Sequence, residues 1–391
     1  MKKYNWSQSI LENKLNMLID EIIKRGGSIN RKTNEIILEN ANKESILLGF
    51  DISLLMNMIA TVDKSFEYPI LARDNLSLLE IYRESQEELE NISFAKKDIL
   101  NFYKESTLIS SDITYVEQKK MNLKNDDILT IVHDFYKSLD PYFFKTFMKI
   151  FKQRKNNLKT FNKEDTTPFM GCSYMLSYLN EIYIAIARTY DIEDIITFAH
   201  EYMHTINYSI NSSGAYEKNK RYFFEIDTLF IELIIADYLR NLFKNNEADK
   251  ANLITHLEYC NQVIYSSIIY TLTDYEKTNN TQLQSNKQMK ELIKNTFGIK
   301  ENIFEEIFQK RDTEIITKYI ISYMFAIELY LLYLNDKDKS LYILKKIIQV
   351  KGLSKEEYYK YIKSLGLFPS TSIHEYEEII KSRTLKRTIA R

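Results

Sequence analysis

Four prolines and eight glycines are all that punctuate 391 residues. With so few breakers, and long stretches rich in Leu, Ile, Lys and Glu, the chain has little choice but to be mostly helical. Its length allows one large domain or two to three smaller ones, and a chain of this size needs no disulfide or metal to close a core. Lys and Arg number 53 against 54 Asp and Glu, a net charge of −1, so neither nucleic acid nor an anionic membrane is expected as the main partner. Cys172 and Cys260 stand apart with no C-x-x-C spacing, the usage of a reduced, intracellular chain. The N-terminal residues lack the uninterrupted apolar core of a signal peptide, which makes the cytoplasm the default compartment. The most apolar run, Tyr319 to Leu334, is interrupted by Ser322 and Glu328 and is too short for a membrane span, so it is read as a buried helix.

Hydrophobic periodicity predicts helices over 7–25, ending at Arg25-Gly26-Gly27, and over 42–62 and 75–105. Small polar residues from Ser106 to Asp112 mark the expected boundary between a first lobe, 1–111, and a second domain, 112–391. Residues 124–158 read as two helices broken at Asp140-Pro141, the second with a solvated basic face. Glu181 to Arg188 is short, β-branched and apolar, and is read as a strand. Asp191-Ile192-Glu193-Asp194 then opens a helix running to about Ser209, with acidic residues in its first turn. A polar loop follows from Asn211 to Lys220, then an apolar helix over Tyr222–Leu239; Lys277 to Lys290 reads as a polar surface excursion.

The chemistry sits in the helix after that strand, at His200-Glu201-Tyr202-Met203-His204. Residues four apart on an α-helix lie about 40° from each other, one turn apart, so both imidazoles can reach one zinc ion. Glu201 is rotated by about 100° from His200, where it flanks the metal and can take a proton from its water rather than bind. Ile195, Ile196, Ala199, Met203 and Ile206 form an apolar stripe beside the pair, which places it on a packed helix. A third ligand is expected from Phe223–Glu232: Glu225 and Asp227 compete for it, while Glu232 and Thr228 are placed to hydrogen-bond a ligand. His133, His256 and His374 are isolated, and none is read as a ligand.

These residues carry a resemblance. Gly171-Cys172-Ser173-Tyr174, the Glu181 strand and the stretch from Asp191 to His204 resemble the core of the thimet oligopeptidase and oligoendopeptidase F family of zinc metallopeptidases. Glu225-Ile226-Asp227-Thr228 with Glu232 is similar to that family's third-ligand helix and favours Glu225 over Asp227. Tyr319 to Ala326 looks like its Tyr-rich helix, with Tyr323 matching the oxyanion donor and Tyr319 beside it as a substrate contact.

The resemblance implies a mainly α, helical zincin-type metallopeptidase with a small β-sheet beside the zinc helix and a channel-like active-site cleft. It further implies one Zn2+ per chain on His200, His204 and Glu225, Glu201 as general base, and an oligopeptide substrate. A monomer is the expected state. The chain departs from the family at Met203, where a glycine is usual, at Phe325, where a second tyrosine is usual, and in a shorter N-terminal lobe. These departures leave room for two other readings: a processing peptidase dedicated to one precursor, or a silent peptide-binding protein on a peptidase scaffold.

Overall fold

The computed structural model describes residues 8–30, 35–37, 43–63, 82–83, 86, 92–105, 121–162, 171–211, 220–243, 251, 255, 268–297, 313–369 and 373–384. The fold is mainly α with a small three-stranded sheet. In chain order the elements are α1 (Gln8–Lys24), β1 (Ser28–Asn30), β2 (Glu35–Ile37), α2 (Lys43–Asp63), α3 (Lys96–Glu105), α4 (Asn125–Leu139) and α5 (Pro141–Phe151). There follow β3 (Leu158–Asn162), β4 (Gly171–Leu176), β5 (Glu181–Arg188), α6 (Glu193–Ile210), α7 (Ile226–Phe243), α8 (Asn286–Phe297), α9 (Thr313–Asn335), α10 (Lys337–Gln349), α11 (Lys355–Ser364) and α12 (Ile373–Thr384). No helix among the described residues is long and apolar enough to cross a membrane.

The chain divides into two compact units, each built from two stretches: 1–68 with 120–216, and 69–119 with 217–391. The expected boundary at 111/112, the loop 212–219 and much of the expected 75–105 helix lie outside the described residues.

In the first unit, Gly26 ends α1 at φ +82°, a conformation that costs glycine little, and the Gly27 amide returns to the Ile22 carbonyl at 3.0 Å. α1 packs on α2, and both cover one face of the sheet. The sheet order is β3-β5-β4, with β3 parallel and β4 antiparallel to β5. Alternation sorts the side chains: Tyr174, Leu176, Tyr183 and Ala185 join Leu11, Leu18, Leu48, Ile52 and Leu55 in one core. Gly171 pairs with Ile186 and Ser173 with Ile184. These positions face the other way, toward α6, which packs on β4 and β5. Covered on both faces, β5 has no solvated side, which explains its continuous apolar run. The turn joining β4 to β5 is held by the buried Asp51 of α2, whose Oδ2 accepts from the Leu179 amide at 3.0 Å.

α4 and α5 pack on α6. Asp140 caps α5, accepting from the Tyr142 and Phe143 amides at 2.8 and 3.2 Å, and Pro141 takes the first helical position, where a missing N–H costs nothing. Phe147 is the hub of this contact, stacked on Tyr136 at 4.6 Å and on Phe151 at 4.9 Å, and edge-on to Tyr202 of α6 at 5.0 Å.

In the second unit, α9 packs against α7 and α10. Tyr330 donates to Asp237 at 2.6 Å, and Ser340 to the Leu329 carbonyl at 2.7 Å. α11 starts in a capping box of Ser354 and Glu357. Arg83 grips Glu276 with both terminal nitrogens, at 2.7 and 2.8 Å. The segment Lys277–Lys290 is only partly an excursion, because residues 268–279 are helical and α8 begins at Asn286.

Candidate metal centre

α6 begins with the acidic first turn expected of it, Glu193 and Asp194. Asp194 is fully buried, and its carboxylate also reaches back into the turn that links β5 to α6. It accepts from Arg188 Nε at 2.6 Å, from the Thr189 amide at 2.7 Å and from the Tyr190 amide at 2.9 Å. Tyr190 itself sits at φ +62°, a strained conformation for a bulky residue that these bonds hold in place. Arg188 also donates to the Leu123 carbonyl at 2.6 Å and to Asn125 at the start of α4. One buried ion pair therefore ties together the end of β5, the start of α4 and the start of the histidine helix. Further along, Tyr136 of α4 donates to the Ala199 carbonyl at 2.7 Å, one residue before His200.

On this fixed helix His200 and His204 are both buried, at 8% and 7% exposed. Their Nε2 atoms lie 3.1 Å apart and their rings are crossed at 80°. Two nitrogens bound at about 2.0–2.1 Å to one tetrahedral zinc stand about 3.3 Å apart, so the pair fits that ion closely. Glu225 immediately precedes α7, where its carbonyl accepts from the Leu229 amide at 3.0 Å. Its Oε2 accepts from the Thr228 hydroxyl at 2.9 Å, which fixes the carboxylate against its own helix. His200 and His204 of the first unit and Glu225 of the second each carry an atom that can bind a metal ion. Two imidazoles and a carboxylate are a zinc donor set that leaves a position open.

Glu201 is 4% exposed and lies against β4. Ser173 Oγ stands 2.6 Å from Glu201 Oε2 and 2.9 Å from the Glu201 carbonyl. A Cβ placed on Gly171 would stand 2.6 Å from Glu201 Oε1, so only glycine leaves room for the carboxylate in this position. In the sequence Ser173 and Gly171 stand out only through the resemblance. Period-2 alternation from the buried Tyr174 would have put both on the α6 face, but only the β4–β5 register places them beside Glu201.

The remaining site candidates fall in the second unit. Thr228 is fully buried and bonded to Glu225. Asp227, the competitor for the third ligand, is 2% exposed on α7, and Glu232 lies partly buried two turns along that helix. On α9, Tyr323 is buried and Tyr319 is partly exposed, their rings 6.3 Å apart. The two departures both sit in packed interior. Met203 is fully buried on α6, and Phe325 is fully buried with its ring edge-on to Tyr359 at 5.5 Å.

No family model matches the chain, and no curated protein is similar to it by sequence. Its fold, however, is found among solved structures. A protein from Chlamydophila abortus provisionally named a peptidase superposes with a TM-score of 0.53 at 12% identity, over 98% of this chain and 72% of its own. A Bacillus anthracis str. Ames protein provisionally named an oligoendopeptidase F superposes with a TM-score of 0.50 at 13% identity, over 87% of this chain and 64% of its own. At such identities the likeness is one of fold.

Proposed function

We propose that this chain is a zinc-dependent metalloendopeptidase that hydrolyses short oligopeptides. One observation carries the reading: two buried imidazoles face each other one helical turn apart, with their Nε2 atoms 3.1 Å from each other, and the residue after the first is a buried, hydrogen-bonded glutamate. The names borne by the two fold neighbours point the same way.

In this reading His200, His204 and Glu225 hold one zinc ion, which when bound supplies Lewis-acid polarisation and a water of lowered pKa. Thr228 keeps the Glu225 carboxylate in its ligating orientation, and Glu232 supports a ligand by a hydrogen bond. Glu201 takes a proton from the attacking water at a carboxylate oxygen and hands it to the departing amine nitrogen. Tyr323 donates its hydroxyl to the oxygen on which negative charge develops, and Tyr319 contacts substrate.

The substrate backbone needs a partner too. The strand 181–188 is the candidate that the sequence offers for pairing with an extended peptide, but both of its edges are taken, by β3 and β4. Among the described residues β4 is an edge strand of the sheet, and it lies against Glu201, so it is the strand to which a peptide would add.

The test is metal analysis combined with cleavage of quenched fluorescent peptides. About one zinc per chain is expected, and Glu201→Gln should keep the metal while losing about 10²–10⁴-fold in rate. A Glu201→Gln protein that cleaves at the wild-type rate overturns the mechanism, and a chain with no affinity for zinc overturns the reading.

A further inference from the structure

Glu201 needs more than the right place on its helix. A glutamate side chain has three rotatable bonds, and a base that must reach first a water and then an amine works only if its carboxylate is held. α6 supplies the Cα position alone. The rest of the restraint comes from β4, across 28 residues of sequence.

We propose that Ser173 is a positioning residue for the general base, holding the Glu201 carboxylate by a direct hydroxyl hydrogen bond, with Gly171 providing the space that lets the carboxylate lie against the strand. This rests on Glu201 acting as the base. Three observations carry the proposal. The Ser173 hydroxyl lies 2.6 Å from Glu201 Oε2, the short separation of an O–H donor on a carboxylate oxygen. Glu201 Oε1 and Cγ come within 2.6 and 2.7 Å of where a Gly171 side chain would begin, so the other edge of the carboxylate is walled by backbone. The antiparallel register, with Gly171 opposite Ile186 and Ser173 opposite Ile184, points both positions at α6. The hydroxyl thus engages one carboxylate oxygen, and the glycine wall limits rotation of the other.

Ser173→Ala and Ser173→Thr, in the full zinc-loaded chain, separate this role from a structural one. Groups that orient active-site residues from behind cost about 10–100-fold in activity when removed. Ser173→Ala should lower kcat by about that factor with KM within about twofold, with zinc content and melting temperature as in the wild type. Ser173→Thr, which keeps a hydroxyl, should recover kcat to within about threefold of wild type. A Ser173→Ala kcat within twofold of wild type overturns the proposal while leaving the peptidase reading intact. Should Ser173→Ala lose zinc or melt early, Ser173→Thr decides alone: a well-folded threonine variant as slow as a base-less Glu201→Gln control also overturns it. If the wild type binds zinc but cleaves no peptide, the peptidase reading itself fails, and this role falls with it.

Discussion

The Arg188 guanidinium meets the Asp194 carboxylate at 2.6 Å with both side chains shut off from solvent, at 4% and 0% exposed. Removing one partner from a buried pair leaves an uncompensated charge, at a cost of about 3–5 kcal/mol. Asp194 also ties down two amides of a turn with a left-handed tyrosine. Asp194→Ala is therefore expected to destabilise the chain by about that much in urea unfolding and to weaken zinc binding, because the histidine helix begins at this turn. A variant with wild-type unfolding and wild-type zinc affinity would show that the turn does not anchor the helix.

Glu225 makes a different prediction, about metal and not about folding. Its carboxylate is held by Thr228, and Glu225→Ala removes one of the three proposed donors without altering the buried histidines. Zinc content after dialysis should fall far below one per chain with the far-ultraviolet circular dichroism unchanged. Stoichiometric zinc in Glu225→Ala would assign the third ligand elsewhere, with Asp227 next to be tested. Thr228→Val should weaken zinc by about 10–100-fold, a smaller loss than Glu225→Ala.

Gly171→Ala tests the close approach of strand and base. The added methyl would stand 2.6 Å from Glu201 Oε1, so the glutamate must move. The far end of a flexible side chain can shift at modest cost, so the fold and the zinc should survive while kcat falls by about tenfold or more. Equal kcat in wild type and Gly171→Ala would mean that the position of Glu201 against β4 is unimportant to turnover.

Stability should depend on pH through Glu328 on α9, in the second unit. Burial pushes its carboxyl up to about 7, partly offset by the Phe368 amide, which donates to it at 3.3 Å, while Glu375 adds to the rise. A carboxyl whose folded pKa lies above its unfolded value binds its proton more tightly in the folded state, so this contribution favours folding below about pH 4.5 and is lost as pH rises through about 7. Glu328→Gln should therefore unfold like the wild type at pH 4 and be more stable by about 3 kcal/mol at pH 8. Melting curves at both pH values check this, and a parallel offset at the two pH values would remove the titration as its cause.

The helical parts were legible because their signals are local. α1, α2 and the break at Asp140-Pro141 follow from apolar spacing, a terminal glycine and a proline at a first turn, each acting within a few residues. β5 was legible as a strand from its run of Ile and Ala, but not as the central strand, since neighbours are chosen by packing on both faces. β3 and β4 were missed as strands of the sheet: β4 alternates a packed face, Cys172, Tyr174 and Leu176, with a face toward α6 that carries glycine and serine. That alternation breaks the apolar run by which β5 was recognised.

What the sequence determined by itself is the facing of His200 and His204, because helical geometry puts residues four apart on one side whatever surrounds them. Glu201 beside them follows from the same geometry. Only the tertiary structure decided what holds that glutamate, that Asp194 of the acidic first turn pairs with Arg188, and that Met203 and Phe325 sit in packed interior. The difference is one of range. A helix face is set by covalent spacing and hydrogen bonds between near neighbours, whereas a hydroxyl meeting a carboxylate 28 residues away depends on strand register and on the packing of a sheet against a helix.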